Sequence, residues 1–129
     1  MDKRNAVGWF EMYVQDLNRA QQFYETVLQI KMEPLPTPDG MEGGFKMMMF
    51  PGDPYIPGAG GALVYMPGFD GGMSSTIVYF SSEDCANEES RIVKAGGKIF
   101  KPKMSIGEYG FIMLAYDTEG TMFGVHSMK

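Results

Sequence analysis

The sequence predicts an α+β fold built from two βαβββ modules, and three observations predict it. First, Val14-Gln15-Asp16-Leu17 and Ser82-Glu83-Asp84-Cys85 each close an apolar-rich segment and open a helical one. Second, the helical stretch after each aspartate leads to a short strand-like piece ending in proline, at Pro34 and again at Pro102, the same distance on. Third, each such start is followed by two further strand candidates. Self-similarity at a fixed offset is the mark of a repeated structural unit.

The elements follow in order. The first helix carries Leu17, Ala20, Tyr24, Val27 and Leu28 at spacings that share one face, and the second carries Cys85, Glu89, Ile92 and Val93. Asp16 and Asp84 are expected as N-caps, their carboxylates accepting from free backbone N–H groups. Gly96-Gly97 supplies a left-handed end for the second helix. The short strands after the helices are expected at 30–33 and 98–101. The later pairs are expected at 45–50 and 61–66, then at 111–116 and 121–127. Residues 51–60, rich in Gly and Pro, read as a loop, and Asp117-Thr118-Glu119-Gly120 reads as a hairpin turn. One domain over 1–129 is expected, with module one at about 7–66, a linker at about 67–74 and module two at about 75–127. Side by side, such modules make a curved mixed sheet with helices outside and a concave cleft, the shape in which small ligands bind.

Composition narrows the function. The chain has 129 residues, 44% hydrophobic and 21% charged, enough for one packed core. Its net charge of −5 comes from scattered acids, and no basic stripe with interleaved aromatics follows a phosphate backbone. Nucleic acid and anionic membranes are therefore not expected partners. A lone cysteine, Cys85, forbids an internal disulfide, and a cytoplasmic setting is expected. Cys85 opens the second helix, where a thiol can be acidified, but no neighbouring base is visible in the sequence. No glycine pattern of the phosphate-binding kind appears, so no nucleotide cofactor is expected.

The residues from Trp9 to Leu17, with Arg19-Ala20 and Phe23-Tyr24, resemble the opening strand, aspartate turn and helix of the vicinal oxygen chelate superfamily. That superfamily includes glyoxalase I, extradiol dioxygenases and bleomycin-resistance proteins. Ala95-Gly96-Gly97-Lys98 and Asp117-Thr118-Glu119-Gly120 resemble its second-module turns, and the likeness spans about 7–126. The resemblance implies a small-molecule ligand and a homodimer. It also implies, for metal-dependent members, ligands at strand positions that fall here on Trp9, Ile77 and Gly124. None of these side chains can coordinate a metal, so no metal and no other cofactor is expected.

The residues left to do chemistry are few. Glu11 lies two residues after Trp9 on the same strand face; a carboxylate among aromatics would have its pKa raised by desolvation and suit proton abstraction. A carboxylate hydrogen-bonded at a sheet edge or dimer seam is the other reading of Glu11. His126, the only histidine, shares a face with Gly124 and is open to two readings: a partner of Glu11, or a strand-end histidine satisfied by backbone. Trp9, Tyr13, Tyr79 and Tyr109 each join a large surface to a polar handle and are expected to line the pocket. Met48, from the Met47-Met48-Met49 run, is expected to soften it.

The leading expectation is therefore a protein that binds a small hydrophobic or planar molecule without a metal. A lyase or isomerase using Glu11 as general base stands beside it. In that version His126 or a tyrosine polarises a carbonyl, or Glu11 and His126 form a displaced metal site. A dimer whose vestigial cleft is filled by its own methionines is the third reading.

Overall fold

The computed structural model describes residues 5–37, 43–53, 55–68 and 76–129. Chain order is β1 (Val7–Tyr13), α1 (Leu17–Leu28), β2 (Glu33–Leu35), β3 (Lys46–Met49), β4 (Gly60–Tyr65), β5 (Thr76–Ser81), α2 (Cys85–Ile92), β6 (Lys98–Ser105), β7 (Phe111–Tyr116) and β8 (Met122–Ser127), with a 3-10 turn at Gly107–Tyr109. This is βαβββ written twice, the α+β order that the sequence predicts. Among the described residues no helix is long and apolar enough to cross a membrane. Residues 69–75, most of the expected linker, lie outside the described residues.

The chain divides into two compact units, Phe10–Thr76 and a second made of Ile77–Lys129 with the residues up to Trp9. In the first the strand order is β2-β3-β4-β1; in the second β5-β8-β7-β6 follows the opening residues of β1. Strands β5 and β8 run parallel, with Tyr79 opposite Gly124 and Ser81 opposite His126. The β6–β7 and β7–β8 pairs are antiparallel, as are β2–β3 and β3–β4.

The repeat is visible in individual bonds. The Val14 N–H donates to the Val64 carbonyl at 2.9 Å, and the Ser82 N–H donates to the His126 carbonyl at 2.8 Å. Val14 and Ser82 stand in the same relation to their helices as do the caps Asp16 and Asp84. Both caps form: Asp16 accepts from the Arg19 N–H and Asp84 from the Ala86 N–H, each from extended backbone. The helices end differently. Gly96, at φ 101°, makes the left-handed turn after α2, whereas α1 ends on Gln29 at φ 56°, a non-glycine residue in that region. Glu25 then pins the exit of α1 by accepting the Met32 N–H at 2.8 Å, which holds its carboxyl below the usual range.

Several boundaries move. The strand expected before Pro34 instead contains it, and the one expected to stop at Pro102 runs on to Ser105. Both are edge strands of their units, and β6 shifts register on either side of Lys101, where a missing N–H costs no ladder bond. Strand β3 is shorter than expected, with Phe45 and Phe50 flanking it. The α1 stripe is less buried than its spacing suggests: Val27 and Leu28 are more than half exposed, as is Val93 beyond α2. The Asp117–Gly120 turn forms, closed by the Asp117 N–H on the Thr121 carbonyl at 2.9 Å, with Gly120 at φ 83°.

Alternation assigns each strand face. In the first unit Phe10 packs on Phe50 at 5.6 Å between ring centroids, and Phe50 on Tyr24 of α1 at 5.8 Å. Phe10 therefore faces α1, and Glu11 and Tyr13 face the other way. In the second unit Cys85, Met113, Ala115 and Val125 form a buried cluster with Ile92, Phe111 and Phe123 under α2. The alternate residues Ile112, Leu114, Gly124 and His126 are turned from α2.

Candidate functional site

On the face of the first unit turned from α1, Glu11 is the one buried acid among the described residues, 9% exposed. The Tyr13 hydroxyl donates to its Oε1 at 3.0 Å. The pair arises from alternation alone, since residues two apart on a strand stand on one face. Burial, and then the charge of Glu11, push the Tyr13 phenol far above its ordinary range, so it remains a donor at any ordinary pH. The arrangement can orient a carboxylate, and a carboxylate so held can accept a proton.

Met48 does not join this pair. It lies opposite Leu63, which shares a face with Gly61, and a Cβ on Gly61 would stand 2.4 Å from the Phe10 ring. Met48 is thus on the α1 side, while Met47 and Met49 share the face of Glu11. Trp9 is half-buried in the opening part of β1 and belongs to the second unit.

In the second unit, Tyr79 is 4% exposed and its ring lies across Gly124 on the neighbouring parallel strand. A Cβ at Gly124 would come within 2.4 Å of two Tyr79 ring carbons and 3.2 Å of Leu114 Cδ2. Glycine here is therefore a requirement of close approach, the usual reason for glycine within a strand. His126, half-buried, places Nε2 2.5 Å from the Tyr109 carbonyl oxygen. The structure thus joins Tyr109 to His126 through the Tyr109 backbone, an acceptor that no side-chain pattern reveals.

Elsewhere, the Asp84 carboxylate takes Lys103 Nζ at 2.8 Å, which holds its carboxyl below the usual range and raises the lysine. Buried Cys85 donates its N–H to Ser127 Oγ at 3.0 Å. A shallow groove of about 420 Å³ follows the first turns of α1, lined by Val14, Asp16, Arg19, Ala20, Phe23 and Tyr24. None of the expected site residues (Trp9, Glu11, Tyr13, Met48, Tyr79, Tyr109 and His126) lines it.

With these faces defined, solved structures can be compared. A Streptomyces coelicolor methylmalonyl-CoA epimerase in complex with 2-nitronate-propionyl-CoA superposes with a TM-score of 0.70 at 14% identity, over 97% of this chain and 98% of that one. The epimerase from Mycobacterium tuberculosis gives 0.68 at 12% identity, over 100% and 93%. The chain has the fold of these epimerases. An uncharacterized Methanosarcina mazei protein gives 0.64 at 15% identity, over 97% and 95%. The epimerases are themselves of the vicinal oxygen chelate superfamily that the sequence resembles, and at these identities the likeness establishes the fold alone. No protein-family model matches the sequence, and no curated protein matches it.

The metal that this superfamily implies can be tested against the residues in place. Ile77 is buried and aliphatic, and Trp9 offers an indole. At Gly124 there is neither a ligand nor room for one, because the Tyr79 ring fills that space. Among the described residues no group of three or more His, Cys, Asp and Glu is arranged to hold a metal ion. The donor set does not fit the superfamily's metal.

Proposed function

We propose that the protein binds a small hydrophobic or planar molecule at the sheet faces turned from its helices, without the superfamily's metal. The observation that carries this reading is the Tyr79 ring lying over Gly124, an aromatic group in the space beside the position at which the resemblance expects a metal ligand. Contact with aromatics, plus a few fixed polar groups, is the usual make-up of a small-molecule site. Neighbours in fold bind acyl-CoA ligands, among them methylmalonyl-CoA with NH4+, which makes short acyl thioesters the first class to try. A homodimer, the cytoplasm and the one-domain arrangement of two modules belong to the same proposal.

The test uses Trp9, the only tryptophan. Its emission is followed while short acyl-CoA thioesters and planar aromatic acids are titrated, and the unfolding midpoint is recorded in parallel. Saturable changes in emission with a raised midpoint support the reading. A panel that moves neither quantity removes it.

The second reading is an isomerase or lyase in which Glu11 takes a proton from carbon next to a carbonyl. Its support is the burial of Glu11, the Tyr13 hydroxyl that orients it, and neighbours in fold that are epimerases. Deuterium uptake from heavy water into methylmalonyl-CoA is the assay. Glu11→Gln is expected to abolish it with the fold intact, and uptake equal to wild type contradicts a base at Glu11.

A further inference from the structure

His126 has a chemical role that its position alone leaves open. A neutral imidazole has one N–H donor and one lone-pair acceptor, so the group facing one nitrogen fixes the task of the other. Nε2 faces the Tyr109 carbonyl oxygen at 2.5 Å. A carbonyl only accepts, so Nε2 carries the proton and Nδ1 carries the lone pair. Among the described residues this is the ring's one polar contact.

Both partners of that bond are held in place. On the β8 side the flanking Val125 and Ser127 are 2% and 1% exposed, and Ser127 Oγ is tied to the Cys85 N–H and the Lys129 carbonyl. On the loop side the Ile106 N–H donates to the Gly110 carbonyl at 2.8 Å and the Gly110 N–H to the Gly107 carbonyl at 3.2 Å. Gly110 has φ 100° and ψ −131°, a conformation that favours glycine, and a Cβ there would stand 2.4 Å from the Ser127 carbonyl oxygen. The ring is half-buried opposite Ile112, on the face turned from α2.

We propose that His126 is a tautomer-fixed acceptor: the Tyr109 carbonyl retains the Nε2 proton, and Nδ1 receives a hydrogen bond from a hydroxyl or N–H of the bound molecule. Neutral His126 then accepts from its ligand and cannot polarise a carbonyl, which excludes one of the two enzymatic roles that the sequence leaves open. Tyr109 contributes its backbone as the positioning group. The ligand half of this inference rests on the proposed binding function, whereas the tautomer is a property of the free protein.

The experiment uses the ligand-free full chain, labelled with nitrogen-15. One histidine gives one imidazole spin system, and long-range proton–nitrogen spectra at alkaline pH report which nitrogen is protonated. The expected result is a more one-sided Nε2–H population than in the same chain unfolded in urea. An Nδ1–H tautomer, or a population equal to that of the unfolded chain, overturns the proposal. Gly110→Ala, which displaces the loop, is expected to return the population toward the unfolded value. Because that variant can fail to fold, wild type is also treated with diethyl pyrocarbonate, which acylates the lone-pair nitrogen. Acylation at Nδ1 supports the proposal; acylation at Nε2, or none, contradicts it. A failed ligand panel leaves these readings unchanged, so the two proposals fail separately.

Discussion

The two modules share a frame and differ in what the frame displays. Glu11 stands to Asp16 as Tyr79 stands to Asp84, and Ala62 stands to Val64 as Gly124 stands to His126. The bonds from Val14 to Val64 and from Ser82 to His126 fix these equivalences. In the first module the shared positions hold a carboxylate and a methyl group. In the second they hold a phenol ring and the glycine that makes room for it. The same backbone thus holds a carboxylate oriented by Tyr13 in one module and a buried aromatic ring near a hydrogen-bonded imidazole in the other. A repeated fold fixes where side chains stand, and the residues at those places set the chemistry.

The largest expected effect lies at the glycine. Gly124→Ala would drive a Cβ into the buried Tyr79 ring, at a cost of about 1–3 kcal/mol in urea unfolding. Ala62→Gly, at the equivalent place, should cost only about 0.5–1 kcal/mol, because it removes one methyl and adds backbone freedom. Equal costs would break the comparison.

Next comes Tyr13→Phe, expected to cost about 1–2 kcal/mol by withdrawing a donor from the Glu11 carboxylate. It should also change the alkaline limb of stability. A phenol whose pKa is raised by folding contributes stability that is complete below the unfolded value of about 10 and declines as pH rises beyond it. Wild type should therefore lose stability above about pH 10 more steeply than the Phe variant, read from urea midpoints; parallel limbs would contradict a phenol raised by the fold.

The caps sharpen the comparison on a smaller scale. Asp16→Ala should cost about 1 kcal/mol, the usual worth of an N-cap. Asp84→Ala should lower the urea midpoint further, because that carboxylate also holds Lys103. The Asp84 carboxyl is depressed chiefly by the Lys103 hydrogen bond, so its contribution is present above about pH 4 and lost as pH falls. A difference between the two caps that survives at pH 7 but not in strong acid is the expected outcome. Caps of equal worth at pH 7 would deny Lys103 its part.

Much of the frame could be read from the sequence because its signals are local. An aspartate before a helical stripe and a glycine pair after it each act within a few residues, whereas the prolines read as strand ends lie inside edge strands. The Glu11–Tyr13 pair was equally accessible, being two residues apart on one strand. Three features were not. The contact of Tyr79 with Gly124 joins distant strands, although a glycine inside a strand is a hint of close approach. A backbone partner was one of the two readings of His126, but that it is the Tyr109 carbonyl could not be read, since every residue possesses one. Met48 and its neighbours gave the faces of β3, but not which face meets α1; Phe10, Phe50 and Tyr24 decide that through space.

The most direct test of metal-free binding is a thermal-unfolding scan of the untagged protein, with chelator and then with zinc, nickel, manganese or iron(II). A metal bound only by the folded state would add about 2.7 kcal/mol at a hundred times its dissociation constant. The expected result is one midpoint with chelator and with every metal. A midpoint raised by one of them and restored by chelator would contradict the account and return the chemistry to a metal centre.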